Sequence, residues 1–401
     1  MRQITGFGKV NIDGFGELES AYVLKFENDG KTTLFFDFES FTIETMKLID
    51  KMQGDELVIG QFSGTTEKSD TAIEASHVVL TKFDMDSQKG IRLEFQVNYP
   101  LIIYYESLNP QDEVEIRYGL TNFFFFGHET TRRGNRFSRD TISINIEKRE
   151  IRFTHLENYQ EIEHQLRERK DVQITSEMII NGNYSELADI EEIANNIKWT
   201  CSLASANYVT DLYQDIYKNG RLAKTILKPS KTYPYISRSS AIDASIRGGD
   251  ELRSFLTITY PRFTELKEEL GLEIVIEYYI SSRLGIILEI GFLLGMITLE
   301  CIESYLSSYF KSRGIAKDLS NFKSKTRALL DEFGVSYKED ELEIKDTRDK
   351  IVHTGRFPSE RNPYEEYTKI INLLDRVLLI ILGYKGNMYY NLNSRAKEIL
   401  I

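Results

Sequence analysis

The sequence predicts a mixed α+β protein in which a β-rich N-terminal domain is followed by an all-α helical bundle. Two patterns predict this order: residues 4–155 repeatedly approach a period of two between turn residues, and residues from Asp250 onward follow helical spacing. The length of 401 residues exceeds what one hydrophobic core usually serves, so two or three domains are expected. The predicted divisions are a β-rich domain at 1–155, a mixed and mostly helical connector at 156–245 and the bundle at 246–401.

The N-terminal pattern is clearest in its first hairpin. Ala21–Glu27 and Thr32–Phe38 flank Asn28-Asp-Gly, which is a strong signal for a tight turn between antiparallel strands. Further short runs of the same kind predict strands at 57–63, 76–83, 91–97, 114–126 and 141–153. The domain is therefore expected to be a β-sandwich or to resemble a barrel, with Phe123–Phe126 buried in a central strand or a loop.

The character of the sequence changes after residue 156. A charged helix is predicted at 157–170, a strand at 172–180, and a helical segment at 184–217. One side of that segment is apolar and carries Leu187, Ile190, Ile193, Ala194 and Ile197. Residues 218–249 contain two prolines among many Ser, Lys and Arg, and predict a loop-rich boundary.

The C-terminal part is expected to consist almost entirely of helices. They are predicted at about 250–269, 272–312, 318–333, 339–354 and 364–383. The second segment is expected to be two helices that meet near Gly285 or Gly291, since a single helix of that length is rare in a compact domain. Residues typical of helix ends mark the remaining breaks, at Gly314, Gly334, Gly355 and Pro363.

Bulk composition favours a cytoplasmic protein without a membrane span. The net charge of −12 means that any RNA contact must be local, because the overall field does not attract nucleic acid. Cys201 and Cys301 are too few for a disulfide framework or a zinc site, and the N-terminus lacks the apolar stretch of a signal peptide. The apolar run Leu272–Leu306 contains six charges and is expected to be buried in the bundle.

One group of residues has the chemistry of a catalytic site. Only five histidines are present, and no metal-binding motif occurs among them, so neither a metal nor another cofactor is expected. In the segment Glu343–Gly355, helical spacing places Asp349 and His353 one turn apart on one face and Arg348 at its edge. Ile344, Ile351 and Val352 are expected to mark the buried side.

These residue types suit the cleavage of RNA without a metal. Histidine titrates near neutral pH and can take or give a proton, while the guanidinium of an arginine can hold phosphate oxygens. Asp349 is expected to orient the imidazole. Nearby cations form a local basic surface for RNA, and they are Lys345, Lys350, Arg356 and Arg361.

The spacing of Arg348 and His353 is not specific by itself. Chance alone predicts roughly one such pair in this chain, and a salt-bridged helix surface is the alternative interpretation. Arg149 and His155 form a second pair with similar spacing, but their segment alternates like a strand and is not expected to be a site.

The context of the motif supplies the missing specificity. The last 150 or so residues resemble the HEPN superfamily, whose mark is an Arg, a polar residue, three further residues and a His on a helix that precedes one last long helix. Arg348, Asp349 and His353 fit that pattern, although the family often has Asn where this chain has Asp349. A β-rich first half before such a bundle is similar to the ApeA-type proteins of bacterial anti-phage defence.

This resemblance implies an endoribonuclease. Family members typically form dimers, or larger even assemblies, in which two motifs line one cleft and cut RNA, often tRNA, to a 2′,3′-cyclic phosphate and a 5′-hydroxyl. His353 would be the acid or base and Arg348 the phosphate contact. The N-terminal domain would sense a phage-derived trigger or restrain the nuclease. The Arg132, Arg133, Arg136 and Arg139 cluster, expected in a loop, is a candidate RNA or partner contact.

Two alternatives remain open. In the first alternative to a nuclease, the bundle is a non-catalytic HEPN module that binds RNA, a nucleotide or a partner protein. In the second, it is a structural dimerisation element that serves the β domain. Substitution of Arg348 or His353 would weaken binding in the first case and would have little effect in the second.

Overall fold

The computed structural model is mixed α+β, with strands concentrated in the N-terminal half and most helices in the C-terminal half. The predicted fold class is confirmed at this level. The structure describes residues 2–27, 29–39, 43–53, 57–86, 90–133, 136–169, 172–228, 234–236, 241–242, 248–284, 287–314, 319–389 and 397–399.

The regular elements follow in chain order. The strands are β1 (Arg2–Ile12), β2 (Gly16–Phe26), β3 (Thr32–Phe38), β4 (Ile59–Thr66), β5 (Ala72–Asp86), β6 (Gly90–Val97), β7 (Leu101–Tyr104), β8 (Glu113–Thr121), β9 (Glu129–Arg133), β10 (Arg136–Ile146), β11 (Arg149–His155), β12 (Ile174–Asn183), β13 (Asp211–Lys218), β14 (Arg221–Leu227), β15 (Asn387–Tyr389) and β16 (Lys397–Ile399). The α-helices are α1 (Ile43–Gln53), α2 (Tyr159–Arg169), α3 (Leu187–Ser205), α4 (Gly248–Leu266), α5 (Leu272–Leu284), α6 (Leu288–Ser312), α7 (Phe322–Phe333), α8 (Ile344–Thr354) and α9 (Pro363–Ile381).

The chain forms two compact units that interleave along the sequence. Unit 1 comprises Met1–Thr121, Asp171–Ala188 and Thr210–Tyr233, and unit 2 comprises Asn122–Lys170, Asp189–Val209 and Pro234–Ile401. This division differs from the predicted boundaries at 155/156 and 245/246, since the chain returns twice to unit 1 after residue 170. Sequence patterns mark changes of element type, whereas the units are defined by which elements pack together.

Unit 1 contains a closed antiparallel barrel. Its six strands follow the order β4-β1-β2-β3-β6-β5, and pairing of β5 with β4 closes the ring. Alternate residues point inward and form the core, which includes Tyr22, Phe36, Phe62 and Phe95. The barrel removes the exposed strand edges that a flat sheet would leave. From β5 the sheet continues through β7, β14, β13, β8 and β12.

The predicted first hairpin is confirmed, and it shows why the turn requires glycine. Strands β2 and β3 pair from Phe26 opposite Thr32. Gly30 has a φ of +87°, and an added Cβ would lie 2.6 Å from the side chain of Leu212. A larger residue at Gly30 would therefore be strained by both its backbone and its packing.

The predictions for the middle of the chain are partly wrong. The helix predicted at 184–217 ends at Ser205, and residues 211–218 and 221–227 form the paired strands β13 and β14 of unit 1. The alternation of β13 is masked because it is buried on both faces, with six consecutive buried residues from Asp211 to Ile216. Phe123–Phe126 follows β8 as a loop in unit 2, with Phe123 and Phe125 buried and Phe126 exposed.

Unit 2 is mainly helical and also contains the antiparallel strands β9, β10 and β11. The predicted division of residues 272–312 into two helices is confirmed by α5 and α6, while Gly285 lies outside the described residues. Gly291 lets α5, α6 and α9 approach closely, because an added Cβ would lie 2.8 Å from the Ser282 carbonyl oxygen and 2.9 Å from the Tyr367 ring.

Helix α6 is the one helix of the described residues that is long and apolar enough to span a membrane. Half of its most apolar window is buried inside the structure. It packs against α5 and α9. This packing agrees with the prediction that the apolar run Leu272–Leu306 is buried in the bundle.

Candidate active site

Helix α8 carries the predicted catalytic residues and lies with one side against the bundle. Ile344, Thr347 and Ile351 are its buried residues, at the spacing of one helical face. The helix ends at Gly355, which adopts a φ of +71° and donates its backbone N–H to the Ile351 carbonyl at 2.7 Å. The predicted glycine end is confirmed, and the helix predicted at about 339–354 is a 3-10 turn over Glu339–Glu343 followed by α8.

Helices α6 and α8 run antiparallel where they meet. Glu300 of α6 lies beside Arg348 of α8, while Phe292, two turns earlier on α6, packs edge to face with Phe357 just beyond α8. This pairing fixes which part of α6 faces the motif. It also means that α6 contributes side chains to the surface around Arg348.

Arg348 is held by two carboxylates. Its Nη1 donates to Asp349 Oδ1 at 3.0 Å, and its Nη2 lies 3.6 Å from Glu300 Oε1. All three side chains are between one third and one half exposed. Asp349 was expected to orient the imidazole of His353, but the described hydrogen bonds tie it to the guanidinium of Arg348 instead.

Glu300 is the site residue that the sequence prediction missed. In the sequence, Glu300 stands out only as one of the charges that interrupt the apolar run Leu272–Leu306. A charge on an otherwise apolar helix was the available signal, since such a charge usually faces water or a partner. Its partner was not predictable, because Arg348 is 48 residues away along the chain.

His353 is exposed in the last turn of α8. Val352 was expected on the buried side, and that prediction is wrong because 56% of its surface is exposed. The geometry thus places Arg348, Asp349, Val352 and His353 on the accessible side of α8.

The four predicted RNA contacts divide into two groups. Lys345, Lys350 and Arg356 are exposed. Arg361 instead donates from Nη1 to Thr347 Oγ1 and to Glu366 Oε2, both at 2.9 Å. Because Glu366 is buried, Arg361 stabilises the α8–α9 turn.

A buried carboxyl lies one turn from Glu300 on α6. Glu303 is 5% exposed and accepts a hydrogen bond from Thr326 Oγ1 of α7 at 2.5 Å. Burial, together with the charge of Glu300, raises the pKa of Glu303 to about 7 against the opposing effects of Thr326 and Lys325. In the folded protein Glu303 is therefore mostly protonated below about pH 7.

We expect Glu303→Gln to stabilise the protein at alkaline pH. A raised pKa contributes stability below the unfolded value of 4.5 and loses it as pH rises through about 7. The free energy of unfolding of the variant should exceed that of the wild type by about 1–3 kcal/mol at pH 8, and the difference should shrink toward pH 4.5. Urea unfolding across this range measures it, with the exposed Glu265→Gln as control. An equal difference at both ends would contradict the titration of Glu303.

The other histidine–arginine pair is structural. His155 is 2% exposed in β11, and its ring is stacked between those of Phe125 at 4.0 Å and Tyr159 at 4.3 Å. Its Nε2 lies 2.6 Å from the Phe125 carbonyl oxygen. This environment leaves no room for a substrate. Among the described residues, no cluster of three or more His, Cys, Asp or Glu is placed to hold a metal.

The cluster Arg132, Arg133, Arg136 and Arg139 lies on β9 and β10. These strands pair with Arg136 opposite Arg133. The cluster is therefore part of a hairpin instead of the expected loop. The side chains lie outside the described residues, so its proposed role as an RNA or partner contact stays a prediction.

Exposed apolar residues lie on or just before α6 and on α8, the two helices that meet at Arg348. Ile290 and Ile297 lie on one face of α6, seven residues apart, and are 51% and 39% exposed. Val352 of α8 and Ile287 before α6 are more than half exposed. We call Ile287, Ile290, Ile297 and Val352 the apolar face. Exposed apolar residues grouped in this way are typical of interaction surfaces.

No protein-family model, curated protein or solved structure matches this chain.

Proposed function

We propose that unit 2 is a HEPN-type, metal-independent endoribonuclease. The proposal rests on one observation: an arginine, a carboxylate and a histidine occupy the accessible side of α8, next to an accessible carboxylate from α6. Their order along the helix is the order of the motif that the sequence resembles. In this proposal the protein acts in the cytoplasm on RNA, with tRNA as the expected class, in defence against phage.

Each residue has a distinct role in the proposed reaction. His353 removes the proton of the 2′-hydroxyl or protonates the departing 5′-oxygen, because an imidazole can do either near neutral pH. Arg348 binds the non-bridging oxygens and stabilises the charge that develops on them. Asp349, which is bonded to Arg348, restrains the direction of the guanidinium. Lys345, Lys350 and Arg356 offer exposed positive charge to the rest of the RNA.

A second copy of the chain completes this site. One α8 supplies one histidine, whereas the reaction needs both an acid and a base. The apolar face belongs to α6 and α8, the helices that meet at Arg348, and is suited to cover its counterpart across a two-fold axis. We therefore propose a homodimer, or a larger even assembly, in which two copies of His353 face one phosphodiester.

The direct test is RNA cleavage in the presence of EDTA. Purified full-length protein should cut a mixed tRNA substrate and leave a 2′,3′-cyclic phosphate and a 5′-hydroxyl. The chemistry of the product ends is determined by phosphatase and kinase treatment before gel analysis. The proposed dimer or larger even assembly is tested by measuring the mass of the protein with light scattering. Products with a 5′-phosphate, or activity that EDTA abolishes, would contradict the proposed mechanism.

A binding module is the second candidate function. Its support is that Arg348 carries two carboxylate partners, which reduces the positive charge available to a transition state. Such a module would bind RNA, a nucleotide or a partner protein through Arg348 and His353 without cutting. Binding of RNA without cleavage products, in the same assay, would favour this function. A bundle that only dimerises would show neither.

A further inference from the structure

The environment of Arg348 conflicts with its proposed role as a phosphate contact. The guanidinium carries one positive charge, and Asp349 and Glu300 together carry two negative charges. The trio therefore has a formal charge of −1. A phosphodiester that approaches Arg348 meets a negatively charged group, which is unfavourable at short range.

The two carboxylates hold Arg348 unequally. Asp349 is the neighbour of Arg348 in α8 and accepts a true hydrogen bond at 3.0 Å. Glu300 comes from another helix, its contact is an ion pair at 3.6 Å, and 39% of its side chain is exposed. An exposed ion pair of this kind contributes about 0–1 kcal/mol, so Glu300 is the partner that an anion can displace.

We propose that Glu300 gates the access of phosphodiesters to Arg348. In the free protein it neutralises the guanidinium from the α6 side, and the substrate must displace it. A phosphate offers Arg348 two oxygens in a planar arrangement, which is a stronger interaction than the single Glu300 contact. Glu300 thus lowers the affinity of the site for RNA. This inference rests on the proposed function only in taking RNA as the anion that binds.

The test is the affinity of Glu300→Gln for an RNA that cannot be cut. A fluorescent 2′-O-methyl oligonucleotide lacks the 2′-hydroxyl needed for cleavage, so its binding to the full chain is measured by anisotropy without turnover. Glu300→Gln should bind about fivefold to tenfold more tightly than the wild type at 0.1 M salt, as expected for one charge removed about 5 Å from a phosphate. Glu300→Ala should show a gain of similar size.

The matched control is Glu289→Gln, which removes the same charge from the same helix. Glu289 lies 11 residues before Glu300, about 16 Å along the axis and beyond the screening length of about 10 Å. Its affinity should change less than twofold. In the Arg348→Ala background the gain from Glu300→Gln should be clearly smaller, because direct repulsion between Glu300 and the phosphate is still relieved but no guanidinium is released.

Equal affinities of Glu300→Gln and Glu289→Gln would overturn the gate, and weaker binding by Glu300→Gln would show that Glu300 positions Arg348. Cleavage of natural RNA by the wild type separates this result from the proposed function. If the wild type cuts RNA but Glu300→Gln binds the oligonucleotide no more tightly, the gate is wrong and the proposed nuclease function stands. If the affinity gain of Glu300→Gln depends on Arg348 but the wild type cuts no RNA, the nuclease function is wrong and the gate stands.

Discussion

His353→Ala is expected to abolish RNA cleavage while leaving the fold intact. Loss of one positioned acid or base lowers the rate about 10²–10⁴-fold, and in a dimer each site loses both of its imidazoles at once. The expected activity is therefore below the detection limit of a gel assay. Because His353 is exposed at the end of α8, its removal should change the free energy of unfolding by no more than about 0.5 kcal/mol.

A second exposed histidine provides the control for this result. His164 lies on α2 of the same unit, and 74% of its side chain is exposed. His164→Ala should cut RNA like the wild type, in EDTA and at equal protein concentration. Retained cleavage by His353→Ala, with the control also active, would exclude the proposed catalytic role and leave α8 as a binding surface at most.

The sequence predicted those parts of the site that lie within one helix. Helical spacing brings Arg348, Asp349 and His353 together without knowledge of the fold, and Gly355 marks the end of α8. The contribution of α6 required the antiparallel packing of two helices distant in sequence. Val352 shows the reverse case, because an apolar residue type predicts burial, whereas its position on α8 leaves it exposed.

The same contrast applies to the barrel. A tight turn is local, so Asn28-Asp-Gly predicted the β2–β3 hairpin. Closure of the ring depends on the pairing of β4 with both β1 and β5, which no local pattern encodes. Strands β13 and β14 were missed for a related reason: burial on both faces of β13 removes the alternation of polar and apolar residues by which strands are recognised.

Asp375→Asn is expected to destabilise the helical bundle more than any surface change. Asp375 of α9 is fully buried, forms an ion pair with Arg283 of α5, and accepts a hydrogen bond from Tyr279. Burial, above all, raises the pKa of Tyr279 well above its usual value, so Tyr279 stays a neutral donor. The amide cannot neutralise Arg283, and an uncompensated buried charge costs about 3–5 kcal/mol.

Urea unfolding distinguishes this electrostatic cost from a loss of packing. If the unpaired charge of Arg283 causes the loss, Arg283→Met/Asp375→Leu should be more stable than Asp375→Asn, since the double variant buries neither charge. The exposed pair of Arg262 and Glu265 on α4 supplies the contrast, because Glu265→Gln should cost less than about 1 kcal/mol. A double variant as unstable as Asp375→Asn would show that shape, and not charge, holds α5 against α9. Because α5 and α9 both pack on α6, the same ion pair supports the helix that carries Glu300.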